Sequence, residues 1–131
     1  MTRLSSRLVL AAVVAMIACS KSPTGPQPGT LSVQLQSPNS GLDGAILFTL
    51  TGPNPVTNVV AGAGDTLWST DFSGNTSKVL LTGTIKNGVI LSFAVPDVNV
   101  SDQYIVSINQ AASSSDYSLR SLVSYVPLVA K

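Results

Sequence analysis

The side chains that could do acid–base or nucleophilic chemistry are few in this sequence, and their spacing argues against catalysis. The 131 residues contain no histidine and one cysteine, and all six acidic residues are aspartate. Without histidine, the chain cannot form Cys/His dyads, Ser-His-Asp triads or typical zinc sites. The aspartates are scattered through turn-like segments, where Asp commonly caps the backbone. Ser77 and Lys78 are neighbours in a predicted strand and should therefore face opposite ways. We expect no enzymatic activity.

One segment carries oxygen ligands at a spacing that could suit a hard cation. Asp97, Asn99 and Asp102 fall in a single predicted loop, and calcium prefers several such oxygens. The loop lacks the central Gly and the final Glu of the full calcium-loop signature. The sequence therefore predicts a solvated connector between strands and no metal site, with calcium binding by these three residues as the alternative.

The single tryptophan is the candidate residue for contact with a partner. Trp68 lies with Phe72 in a Gly/Ser-rich segment. An exposed tryptophan can stack on a sugar ring or anchor a protein partner. The alternative is that Trp68 packs in the core, because aromatic residues are common both at interfaces and in cores. No basic patch accompanies it, so we expect no nucleic-acid partner.

The amino-terminal segment has the order of an export signal. Arg3 and Arg7 precede an apolar run of 11 residues, 8–18, after which the chain turns polar at Cys19. A membrane-spanning helix needs roughly 20 residues, so this run is too short to span a bilayer and instead suits the core of a signal peptide. Because Cys19 is the only cysteine, no disulfide within the chain can account for it.

The sequence Met16-Ile17-Ala18-Cys19 resembles the lipobox of bacterial lipoproteins. The resemblance implies cleavage before Cys19, covalent lipid on its sulfur and anchoring in the bacterial cell envelope, since two or more acyl chains hold a protein firmly in a membrane. Ser rather than Asp at position 20 favours the outer membrane if the source has two membranes. We therefore predict a signal peptide at 1–18 and a lipidated Cys19 with a Pro/Gly linker at 19–29.

The rest of the chain, 30–131, is predicted to form one small antiparallel β-sandwich of seven or eight strands. Apolar and polar residues alternate with the period of a strand in several short runs separated by Gly, Pro, Asn and Ser. The predicted strands cover 31–36, 45–51, 56–61, 77–83, 89–95, 104–108 and 119–126, with a short edge piece at 66–68. The Asn87-Gly88 pair predicts a hairpin between the strands on either side of it. Residues 111–116 are predicted to be an exposed loop.

Residues 44–51 and 78–96, the second of which contains the strand Gly88–Val95, resemble cohesin-type sandwiches, and immunoglobulin-like domains are nearly as similar. Such a resemblance implies a fold and no particular binding site. Taken together, the sequence predicts a lipid-anchored envelope protein whose β-sandwich binds a protein or glycan partner. The alternative is a structural or assembly lipoprotein without a discrete ligand, and a hydrolytic enzyme comes third. The sequence leaves the oligomeric state open.

Overall fold

Two antiparallel sheets of four strands pack face to face in the computed structural model, which describes residues 25–71 and 74–131. One sheet has the order β3-β6-β1-β8 and the other the order β4-β5-β2-β7. The predicted all-β sandwich is thereby confirmed. The eight strands are β1 (Gly29–Gln36), β2 (Asp43–Thr51), β3 (Thr57–Ala61), β4 (Asp65–Asp71), β5 (Thr76–Ile85), β6 (Gly88–Val95), β7 (Ile105–Ser113) and β8 (Val126–Ala130).

The core lies between the sheets and is filled by the inward-facing residues of the alternating runs. In β2, Ile46, Phe48 and Leu50 are buried, as their spacing predicts. Phe48 and Phe93 are the largest fully buried side chains. Each buried aliphatic or aromatic side chain of this kind contributes about 1.5–3 kcal/mol to stability by leaving water. This core, built from both sheets, fixes which face of each strand is left for solvent.

A β-bulge in β6 interrupts the expected alternation of that strand. The sequence predicts that Val89 shares one face with Leu91, Phe93 and Val95, but Val89 is 49% exposed. The register with β1 shifts between Val33 and Gln34, which pair with Leu91 and Val89, so Ile90 is the additional residue. A bulge inserts one residue and so reverses which face the residues before it point to. Ile90 is therefore buried, and Val89 is exposed.

The predicted hairpin at Asn87-Gly88 is wrong. Strand β5 pairs with β2 and β4, and β6 pairs with β1 and β3, so the turn passes from one sheet to the other. Asn87 bonds to the β1–β2 loop: its side chain accepts from Ser37 N at 2.8 Å and donates to Ser37 O at 3.1 Å. The Asn87 side chain thus forms its hydrogen bonds with a distant loop and not within a hairpin. The Asn-Gly pair alone cannot distinguish the two cases.

The carboxyl-terminal third also differs from the prediction. Residues 111–116 are not a loop throughout, because β7 runs to Ser113 and Ala111 is buried. The predicted strand at 119–126 is absent: Val123 is 93% exposed, and the last strand is β8. Strand β8 contains Pro127 and lies at the edge of its sheet, which is where proline is tolerated in a strand.

The predicted signal peptide, Cys19 and the first part of the linker lie outside the described residues. The described end of the linker is bonded to the domain at Gln27. Its N–H donates to Asp97 Oδ1 at 3.1 Å, and its carbonyl accepts from Val98 N at 2.8 Å. The chain is therefore held against the sandwich from Gln27 onward, two residues before β1 begins.

Candidate functional site

The outer face of the sheet β4-β5-β2-β7 carries a row of side chains that crosses all four strands. The register places Trp68 of β4 opposite Leu80 of β5, which lies opposite Leu47 of β2, and Leu47 lies opposite Gln110 of β7. Directly opposed residues in a sheet point to the same side, so their side chains are neighbours. We call the surface centred on this row the Trp68 face.

The row is apolar at three of its four positions and has polar residues on both sides. Leu47 and Leu80 are half-buried, and the Trp68 side chain is 59% exposed. The neighbouring outward-facing positions, taken from the same registers, are Thr66, Thr82, Ala45 and Ala112 on one side and Lys78, Thr49 and Ser107 on the other. The Trp68 face is therefore an apolar strip bordered largely by hydroxyl groups.

The indole ring of Trp68 is held in place by a hydrogen bond. Its Nε1 donates to Thr82 Oγ1 on the neighbouring strand at 3.1 Å. Core packing of Trp68, the alternative left open by the sequence, does not occur, since 59% of Trp68 is exposed. A ring fixed before binding loses less conformational entropy when a ligand docks. Phe72, the second predicted contact residue, lies outside the described residues.

Further polar groups lie at the β7 end of the Trp68 face. Thr49 Oγ1 donates to Asn109 Oδ1 at 2.8 Å. Asn109 is the additional residue of a bulge, because Ile108 and Gln110 pair with consecutive residues of β2. The bulge brings two amide side chains, Asn109 and Gln110, to this end of the strip. Amides and hydroxyls both donate and accept hydrogen bonds, so the border can match a ligand that does the same.

The calcium candidates are arranged around a short 3-10 helix, Val98–Gln103. Asp97 caps this helix, and its Oδ1 accepts from Asn99 N at 3.0 Å as well as from Gln27 N. The hydrogen bonds from the Gln27 and Asn99 backbone lower the pKa of the Asp97 carboxyl below its ordinary value. Asn99 and Asp102 are exposed. In the described part of the chain, no group of three or more His, Cys, Asp or Glu residues could hold a metal ion. Calcium binding at Asp97, Asn99 and Asp102 stays a prediction.

A buried polar cluster lies at the end of the sandwich where β2 begins. Asp43 is 1% exposed, and its carboxylate accepts from Tyr125 OH at 2.6 Å and from Arg120 Nε at 3.1 Å. Ser37 Oγ donates to the same carboxylate at 3.5 Å, and Asn39 Nδ2 donates to Tyr125 OH at 3.0 Å. We call these five residues the Asp43 cluster.

The hydrogen bonds of the Asp43 cluster compensate a buried carboxylate. Burial, together with the hydrogen bond to Asp43, raises the pKa of the Tyr125 phenol above its ordinary value, so the phenol remains a donor. Arg120 also donates through Nη2 to the carbonyl of Leu42 at 3.3 Å. With its oxygens bonded on both sides, the buried carboxylate is compensated, as a buried charge must be. The cluster joins the β1–β2 loop to the chain before β8.

Sequence reasoning missed the Asp43 cluster, because its members are far apart in the chain. Asp43 is 77 residues from Arg120 and 82 from Tyr125. Asp43 follows a Pro-Asn-Ser-Gly turn and has the local context of a turn-capping aspartate. No spacing rule joins it to residues from the other end of the domain.

No protein-family model, curated protein or solved structure matches this chain. The resemblances to cohesin-type and immunoglobulin-like sandwiches therefore stay predictions. Among the described residues, no helix is both long and apolar enough to cross a membrane.

Proposed function

We propose that this chain is a non-enzymatic, lipid-anchored binding module that uses the Trp68 face to hold a neutral glycan. The observation that supports this best is Trp68 itself. Its ring is more than half exposed, is fixed by Thr82, and continues into the apolar strip of Leu80 and Leu47. Exposed aromatic residues in such a setting mark binding surfaces more often than lone aliphatic residues do.

The chemistry of the strip suits a sugar chain. A pyranose ring presents C–H groups on its faces, which pack on an indole ring, and hydroxyl groups at its edge, which both donate and accept. Thr49, Asn109 and Gln110 at the far end of the strip offer matching polar groups. Neighbouring strands lie about 4.8 Å apart, so the row from β4 to β7 spans about 14 Å, enough for more than one sugar ring. None of the four side chains in the row is charged, so the row itself offers no charge to pair with an ionic ligand, and Lys78 is the positive group on its border.

The anchor is supported by the amino-terminal sequence alone. A cationic start, a short apolar run and a lone cysteine at the expected cleavage site together favour lipid attachment at Cys19. Ser20 favours the outer membrane in a cell with two membranes. The mass of the mature protein from its native host tests this. We expect a chain that begins at Cys19 and carries acyl groups, and a chain that begins at Met1 would contradict the anchor.

Titration of the purified protein with neutral soluble polysaccharides, such as xylan, soluble glucans and chitin oligosaccharides, tests the binding function. We expect saturable binding to at least one of them, and we expect Trp68→Ala to weaken it about tenfold or more, as loss of a central aromatic contact does. Tyr117→Ala is the matched control, because Tyr117 is an exposed aromatic residue in the turn after β7, away from the row. Failure to bind any of these glycans, or equal loss in both variants, would contradict the proposal.

A further inference from the structure

Each of the two sheets ends in two edge strands, and an unprotected edge strand can pair with another chain. Natural β proteins protect such edges with short strands, proline, charged residues or bulges. The edge strands here are β3 and β8 in one sheet and β4 and β7 in the other. They differ in how they are protected.

Three of the four edges carry a recognisable protection. Strand β3 has five residues and follows Pro53 and Pro55. Strand β8 contains Pro127, which has no N–H to donate. Strand β4 begins at Asp65, and a charged residue on an edge strand disfavours pairing with another chain.

Strand β7 lacks these protections in its first half. Its nine residues, Ile105–Ser113, include no charged residue and no proline. The second half is covered from within the chain, because Ser118 O accepts from Ser113 N and Arg120 N donates to Ala111 O. In the described part of the chain, β2 is the only strand that pairs with 105–109, where Ile105 is 64% exposed. The bulge at Asn109 marks the end of this stretch.

We infer that this first half of β7 is a self-association edge, where a second copy of the chain adds its own β7 in the antiparallel sense. A two-fold axis through Ser107 would pair residues 106–108 of the two copies, up to the bulge at Asn109. It would place Val106 beside Ile108 of the second copy. Val106 and Ile108 both face inward against the core, so this pairing joins apolar to apolar across the seam. Closed two-fold pairs of this kind are the commonest homo-oligomers.

The chemistry of the strand favours its own copy over a foreign segment. No charge in β7 opposes a like charge when the strand is paired with itself, and the inward-facing residues match each other about the axis. Membrane anchoring would raise the local concentration of copies, but the pairing does not require it. Pairing along the edge of β7 extends the sheet sideways and does not cover its outer face, so Trp68, Leu80 and Leu47 stay open in both copies. The pairing does not require a bound glycan, although the β7 end of the Trp68 face lies next to the seam.

Charge substitutions at the axis test the pairing. Ser107 is exposed on the outer face, so a folded monomer tolerates Ser107→Lys and Ser107→Glu. The full chain is co-expressed with two different carboxyl-terminal tags, extracted in mild detergent and captured through one tag. The second tag should be retained with the unsubstituted pair. Retention should fall about three- to fivefold when both copies carry Ser107→Lys, or both carry Ser107→Glu, because like charges then face each other across the axis.

Mixing the two variants provides the decisive result. One copy with Ser107→Lys and one with Ser107→Glu should restore retention to within about twofold of the unsubstituted pair, since opposite charges now meet. That restoration also shows that both variants fold. Thr66→Lys in both copies is the control on the other edge strand, and it should change nothing. The inference would be overturned if the unsubstituted chains are not captured together, or if the like-charge pairs are retained as well as the unsubstituted pair. It would also be overturned if the mixed pair is not retained, or if Thr66→Lys lowers retention.

Discussion

The Trp68 face and the Asp43 cluster differ in which groups they bury: the first exposes an apolar ring, and the second buries a charged group. In the Trp68 face an aromatic ring is exposed and a single hydrogen bond to Thr82 fixes it. In the Asp43 cluster a charged group is buried, and Tyr125, Arg120 and Ser37 bond to it. The first arrangement leaves groups free to meet a ligand, whereas the second satisfies its groups internally. We therefore expect recognition and stability to be separable by mutation in this protein.

The largest effect should come from breaking the Asp43 cluster. Asp43→Ala leaves the Tyr125 hydroxyl and the Arg120 guanidinium without their buried acceptor. Removing one partner of a fully buried pair costs about 3–5 kcal/mol, and because the Arg120 side chain is 27% exposed, we expect a loss at the lower end of that range, about 3 kcal/mol. Urea unfolding should show a loss of that size, with Asp102→Ala, at an exposed aspartate, as the control that changes little. A loss equal to that of the control would mean that the cluster contributes no stability.

The next effect should come from Asn87, which bonds the turn between the sheets to the β1–β2 loop. Asn87→Ala removes two side-chain hydrogen bonds to the Ser37 backbone. At about 0.5–1.5 kcal/mol each, the expected loss of unfolding free energy is about 1–3 kcal/mol. Asn87→Asp keeps the acceptor for Ser37 N–H but places a carboxylate oxygen against the Ser37 carbonyl, so it should also be less stable than the parent. An alanine variant as stable as the parent in thermal unfolding would show that these bonds are not needed to hold the turn.

A smaller change in stability is expected at Trp68, although its effect on binding should be large. Because the ring is 59% exposed, Trp68→Ala removes roughly 100 Å² of buried area at most. At about 25 cal/mol per Å², and allowing for the area that alanine still buries, we expect a loss of about 1–2 kcal/mol. The two measurements, thermal unfolding and glycan titration, should therefore diverge for this variant. A loss of stability as large as that of Asp43→Ala would remove the distinction between the two regions.

The smallest effect should be a pH dependence at Asp97. Hydrogen bonds from the Gln27 and Asn99 backbone lower the pKa of its carboxyl in the folded state. The ionised group therefore stabilises the fold above its unfolded-state pKa of about 3.9, and this contribution is lost as the pH falls through the lower folded-state value. The difference in melting temperature between the parent and Asp97→Asn should shrink as the pH falls from about 5 to below 3. A difference that is constant over this range would contradict the assignment.

Most of the strands could be predicted from runs of alternating apolar and polar residues. The wrong predictions concern segments whose hydrogen-bonding partners are distant in the sequence. Ile46, Phe48 and Leu50 are predictable, because a strand with one buried face must alternate. The Asn87-Gly88 turn is not, since the same two residues suit a hairpin or a passage between sheets. The partner of Asn87 is Ser37, 50 residues earlier in the chain. The exposed run 119–123 looks like a strand, but a neighbouring strand has to be available for pairing, and β7 accepts only a single bridge there, at Leu119.

By itself, the sequence determined the all-β class, the inward faces of most strands and Trp68 as the candidate contact residue. These depend on composition and on a period of two residues, both of which are local. Tertiary structure alone decided that Trp68 lies on the surface beside Leu80, that β5 and β6 belong to different sheets, and that Asp43 meets Arg120 and Tyr125. Each of these depends on which strands pair and in what register. Pairing is decided by the packing of the whole chain, because residues that are far apart in sequence have to bury the same core together.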